Sequence, residues 1–375
     1  MRRTSGAIGR AGGAMILALA VSAAPLRAEV TTERSSSILI FPKVLSRTPE
    51  VDTIIQISNT SNSMVFARCF YVNAAPRDPT RPPSPVNPPQ WQEVDFEIFL
   101  TKQQPTHWVV STGRHVDSAA PADQRCSANF RDCNDAGFDP GAIPPVPDIF
   151  TGELKCIEVD SSGAPINGNH LKGEATIVTP DGDASTYNAV GIIGLNTNSN
   201  VNNSDNTLCL GGDVTAACPT GAEYNACPDT LIANHFASGA SDPIIDEFTA
   251  ESSSVSTEIT IVPCTEDLEN QIPAQVVVQF LIINEFEELF STSTTVICWA
   301  NLDLFAINPV FTEGFLGSRF AQTRMRPATA DQPGFVGVLE EFHARASGNT
   351  TRAALNLHEE GVRPGADLMV LPGEF

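Results

Sequence analysis

Val94, Phe96, Ile98 and Leu100 alternate with Glu93, Asp95, Glu97 and Phe99. A period of two over eight residues predicts a strand with one face on a core and the other mostly in water. Thr53–Ser58 and Met64–Val72 are rich in β-branched and aromatic residues, and the polar run Asn59–Ser63 separates them. That pattern predicts two antiparallel strands joined by a short turn, since Asn and Ser bond their own backbone. Lys102–Thr106 turns the chain back into His107–Ser111. Ile38–Val44 reads as an earlier strand, with Pro42 marking an edge or a bend.

Further along, Leu154–Val159 and Leu171–Val178 predict a hairpin around Asp160–Asn169, with Asn167-Gly168 as its turn. Asp181-Gly182 marks the next turn and Tyr187–Leu195 the next strand. Pro228–Ala237 predicts a short helix. Strands resume at Thr257–Val262, Gln275–Ile283, Thr294–Ala300, Phe320–Arg326, Phe335–Ala344 and Arg352–His358. Many short strands with frequent turns predict an all-β chain of two antiparallel immunoglobulin-like or jelly-roll-like sandwiches with long disulfide-stapled loops. At 375 residues two domains are expected, at 29–148 and 149–375. The first carries a loop with seven prolines between Pro76 and Pro89, and the second a Cys/Asn-rich insertion around Asn196–Cys227.

The first 28 residues read as a signal peptide: Arg2, Arg3 and Arg10 precede the apolar Ala14–Ala24, with small residues for cleavage near Ala24 or Ala28. That stretch, like the apolar Val276–Ile283, is too short to span a bilayer. The expected address is therefore the cell surface or extracellular space, or else the periplasm, with no transmembrane segment in the processed chain. Export suits nine cysteines without a CxxC pair, which predict structural disulfides and at least one unpaired thiol. Cys126–Cys133 and Cys264–Cys298 are the expected pairs among them.

The formal net charge is −22, and removing Met1–Ala28, which carries four Arg and no acid, takes it to −26. No basic stripe is present to displace counterions from nucleic acid, so a nucleic-acid partner is excluded.

No GxSxG, HExxH, Walker or GxGxxG motif occurs. His358-Glu359-Glu360 begins like a zinc-protease motif, but Gly361-Val362 ends it. His170 and Glu174 are predicted on one strand face with Lys172 between them, as metal ligands, an acid–base pair or a surface polar row. His107 stands beside Trp108, as a ligand-stacking pair or a half-buried strand end. Asp181-Gly182-Asp183 and the Asn/Asp-rich Asn196–Asn206 offer hard oxygens for calcium, without the EF-hand pattern. No catalytic, cofactor-binding or metal-ligating set follows, and calcium is the one cofactor considered.

The segments FPKV (41–44), DTIIQISNTSN (52–62), DFEIFLTKQQPTHWVVSTGR (95–114), GELKCIEVD (152–160), GNHLKGEAT (168–176) and NEFEELFSTSTT (284–295) resemble a group of secreted bacterial proteins without assigned function. Residues 38–112 also resemble PapD-like and other immunoglobulin-like modules. Neither resemblance implies site residues. The expected function is a non-enzymatic surface or extracellular binding or structural protein with an unidentified ligand. The alternatives are a secreted hydrolase or carbohydrate-active enzyme and a calcium-dependent adhesin.

Overall fold

A computed structural model describes residues 30–78, 80–81, 86–115, 140–195, 205–242 and 252–373. The strands of the first half are β1 (Val30–Thr31), β2 (Ile38–Ser46), β3 (Asp52–Asn59), β4 (Val65–Asn73), β5 (Gln92–Leu100), β6 (Pro105–Val109), β7 (Phe150–Val159), β8 (Leu171–Val178), β9 (Ala184–Asn188) and β10 (Val190–Ile192). The second half holds β11 (Thr207–Leu210), β12 (Thr230–Phe236), β13 (Ser253–Pro263), β14 (Glu266–Asp267), β15 (Gln275–Asn284), β16 (Leu289–Ile297) and β17 (Ala300–Asp303). Two one-turn helices follow, α1 (Leu304–Ile307) and α2 (Glu313–Leu316). The chain then continues through β18 (Phe320–Pro327), β19 (Phe335–Arg345), β20 (Thr350–Asn356), β21 (His358–Glu360) and β22 (Asp367–Val370).

The chain is all-β as expected, but the two sandwiches are corrected. The described strands divide into five small sheets, a five-bladed, propeller-like arrangement. Their orders are β1-β10-β2-β7-β4-β5, β6-β3-β8-β9, β11-β22-β14, β16-β15-β18-β12-β21 and β17-β13-β19-β20. The likeness to immunoglobulin-like modules fails with the sandwiches. The strands that follow residue 148 do not start a new sheet system: β7 lies between β2 and β4, and β8 pairs with β3.

Two predicted hairpins fail for one reason. β3 and β4 occur where the pattern places them, yet β3 pairs β6 and β8 while β4 pairs β5 and β7. The Asn59–Ser63 turn therefore arches from one sheet to another, braced by the Asn59 amide, which donates to the carbonyls of Ser63 and Thr101 at 2.6 and 2.9 Å. β7 and β8 likewise belong to different sheets. The β8–β9 hairpin turning at Gly182 does form, with φ +87° at the glycine. The predicted helix at Pro228–Ala237 is strand β12, whose Leu231 and Ala233 enter a core. The run Thr294–Ala300 is cut at Cys298, where φ is +63°, into β16 and β17 of two different sheets.

Strand β2 shows how the sheets are layered. Leu39 and Phe41 join the cluster shared with β3, β6 and β8, while Ile38 and Ile40 join a cluster shared with β11 and β22. A continuous apolar run such as ILIF is what a strand buried on both faces requires. Pro42 neither ends this strand nor lies at an edge. It sits at a register shift between Phe41 and Val44, where a bulge spares the missing N–H.

Three disulfides lie among the described residues: Cys69–Cys156, Cys209–Cys218 and Cys227–Cys264. The expected Cys264–Cys298 bond is corrected, because Cys264 bonds Cys227 and Cys298 is a buried free thiol. All three side chains meet in one core cluster, and only packing decides which two join. The Cys126–Cys133 expectation, the signal peptide and Asn196–Ser204 lie outside the described residues.

Candidate functional site: a polar groove on the β6-β3-β8-β9 sheet

Strand β3 turns Ile55 and Ile57 into the core, which leaves Gln56 and Ser58 on the opposite face. In register, Gln56 stands between His107 of β6 and Glu174 of β8, and Ser58 stands between Pro105 and Lys172. These residues line a groove of about 390 Å3 together with Thr106 and Gly173. Gln56 Nε2 donates to Glu174 Oε1 at 2.8 Å, which orients both side chains. Gly173 faces inward, where a Cβ would come within 2.6 Å of the Phe41 ring, so the groove floor at this point is bare backbone.

The groove reassigns two residues picked out in the sequence. Glu174 and Lys172 share it, but His170 does not: its Nδ1 meets Glu158 Oε1 at 2.7 Å. Burial pushes the Glu158 carboxyl up, and its bonds to His170 oppose the shift. His107 takes the place expected of His170, and Trp108 turns away, its indole N–H bonding Tyr71 Oη at 2.5 Å inside the core. His107 and Glu174 are brought together through Gln56, which faces one across each of its two ladders, and no spacing in the chain records that.

No protein-family model matches this chain, and no curated protein does. A solved structure aligned with it is the lectin of Pleurotus ostreatus in its apo form, at 8% identity over 88% of this chain and 80% of that one. The TM-score is 0.14, and a likeness at that level carries no argument.

Charged side chains also gather inside the molecule, where sequence reasoning did not place them. Lys43 Nζ reaches Glu258 at 2.8 Å and Glu340 at 2.7 Å, and Ser185 Oγ donates to the second oxygen of Glu340 at 2.7 Å. Burial raises Glu258, but Lys43 and Asn301 outweigh it and hold the carboxyl below its ordinary value. Lys155 bridges Glu153, at 2.7 Å, and Glu266, all three being buried. Burial, reinforced by Glu266, pushes Glu153 up to about 8. The visible hints were a Lys inside the apolar run ILIFPKV and the i,i+2 pair Glu153/Lys155 in GELKC.

Several of the remaining candidates meet protein partners. Asp183 faces Arg352 Nε at 3.4 Å, and Asp181 accepts the Thr179 hydroxyl. His358-Glu359-Glu360 forms edge strand β21, with Glu360 paired to Arg324 and Glu359 pushed up to about 7 by burial. Cys227, Cys264 and Asp367 bring their ligand atoms within 4.8 Å of one another. The two sulfurs are joined, however, and Asp367 already accepts from Thr265 at 2.8 Å and faces Arg363 at 3.2 Å.

Proposed function

We propose that this is a non-enzymatic binding protein that works outside the cytoplasm and holds a small neutral polar ligand in the groove of the β6-β3-β8-β9 sheet. The observation that carries the reading is the alignment of His107, Gln56, Glu174 and Lys172 across three paired strands over a filled core. Such a row supplies donors and acceptors at fixed spacing, which suits adjacent hydroxyl or amide groups on a ligand. Positive and negative side chains balance locally, so a strongly charged ligand gains little there. Glu174 is committed to Gln56 rather than to a nucleophile. The pushed-up carboxyls Glu153 and Glu359 line no part of the groove.

Three disulfides among the described residues fit folding in an oxidising compartment, and no described helix is long and apolar enough to cross a membrane. We place the chain at the cell surface or in the medium within that range. Protease treatment of intact cells tests the location, and a protein that stays protected refutes it.

The groove is tested by screening the purified chain against an array of glycans and uncharged peptides. His107→Ala and Lys172→Ala remove exposed side chains, so the melting temperature should hold while affinity for any array ligand falls on the order of tenfold. An array without a single binder, or binding that both variants leave unchanged, overturns the assignment.

A further inference from the structure

Strand β16 borders the β16-β15-β18-β12-β21 sheet and pairs on one side only, from Leu289 opposite Ile283 to Ile297 opposite Gln275. From Leu289 to Val296 no other described segment bonds its free edge. An open edge of eight residues is a template for another strand, and proteins blunt such edges with charge, proline, brevity or a cover. The other described edges show those devices. β5 carries Glu93, Asp95 and Glu97 and receives a cover where Phe99 N–H meets Pro140 O at 3.2 Å. β6 starts with Pro105, and β21 has three residues. β20 faces β9, with the Asn356 side chain bonded to both backbone groups of Asn188. β16, with sequence LFSTSTTVI, has neither charge nor proline.

We propose that the β16 edge pairs with the β16 edge of a second copy of this chain, antiparallel about a two-fold axis through Ser293. The strand reads the same way in both directions about that residue. Leu289 meets Ile297, Phe290 meets Val296, Ser291 meets Thr295 and Thr292 meets Thr294, so apolar lies on apolar and hydroxyl on hydroxyl throughout. Leu289, 64% exposed, gains an apolar neighbour. Cross-strand pairs of these kinds are favourable, and a two-fold contact must be self-complementary in this way. The neutrality of the strand matters in a chain of net charge −22, because two copies approach without like charges facing across the ladder. The two five-stranded sheets then become one of ten strands.

Sedimentation equilibrium of the full chain over a range of concentrations should show a monomer–dimer equilibrium. Ser293 is exposed, so Ser293→Lys leaves the fold intact while setting a Lys against its own copy, weakening the dimer on the order of tenfold or more. Register is read separately by oxidation: Ser293→Cys meets itself on the axis and cross-links, whereas Ser291→Cys faces Thr295 and does not. A chain monomeric at every concentration, a dimer indifferent to Ser293→Lys, or equal cross-linking of the two cysteine variants overturns the proposal.

Discussion

Lys43 is a buried cation that ties several distant strands together. It sits in the β2 bulge, its ammonium between Glu258 and Glu340, while its carbonyl accepts the Tyr187 hydroxyl at 2.6 Å. The neighbouring Pro42 carbonyl takes the Trp299 indole N–H at 2.7 Å, so one bulge holds groups from four distant strands or turns. Lys43→Met would remove the nearer of the two cations that face the Glu340 carboxylate, which is 1% exposed. Breaking a buried ion pair from one side costs about 3–5 kcal/mol, and urea unfolding should show that loss at an unchanged m-value. A loss below about 1 kcal/mol would mean that Arg352, at 3.6 Å from Glu340, suffices alone. At this scale the pattern sets His170, Lys172 and Glu174 on one strand face, as metal ligands, an acid–base pair or a surface polar row, whereas His170 meets Glu158 instead. Burial of Glu158 beneath His170 decided that outcome, and burial is not written in i,i+4 spacing.

At the scale of elements, hydrophobic periodicity located most strands, because a side chain's face follows from local pleat geometry. Partners do not follow, because the pattern assumes that strands adjacent in the chain are adjacent in space. The arches at Asn59–Ser63 and after β7 break that assumption, and Pro228–Ala237 became strand when β18 and β21 offered it two ladders. Cys69 and Cys156 stand directly opposite each other on β4 and β7 and tie residues 87 apart. Replacing both with Ala should cost about 4.6 kcal/mol from loop-closure entropy alone. Thermal unfolding of Cys69→Ala/Cys156→Ala against the parent checks this, and an unchanged transition would show that the ladder already holds the loop in the unfolded chain.

For the whole molecule, stability is tied to pH through carboxyls whose hold on the proton is raised by burial. Burial holds Glu93 and Glu359 at about 7 and Glu153 at about 8, and it pushes Glu266 above its ordinary value. Each of these carboxyls binds its proton more tightly folded than unfolded. Their contribution is complete below the ordinary carboxyl range and is lost as pH rises through 7 and 8. His343, raised by Glu341 and Asp242, loses its contribution in the same direction. His235, buried and held neutral, has contributed fully once pH exceeds its ordinary value of 6.5. Between pH 6.5 and 9 the melting temperature should therefore fall, and Glu153→Gln should flatten the upper part of that fall. A melting temperature that stays level or rises over the range would refute the assignment.

The all-β class, the position of most strands and the strongly acidic character are legible in the chain alone, because strand faces and charge are properties of short segments. Tertiary structure alone decided the division into five sheets, the Cys227–Cys264 bond, the burial of Lys43 and Glu153, and the groove between His107 and Glu174. Those depend on which distant strands pair, and pairing is chosen by the total burial of a whole sheet rather than by any segment within it.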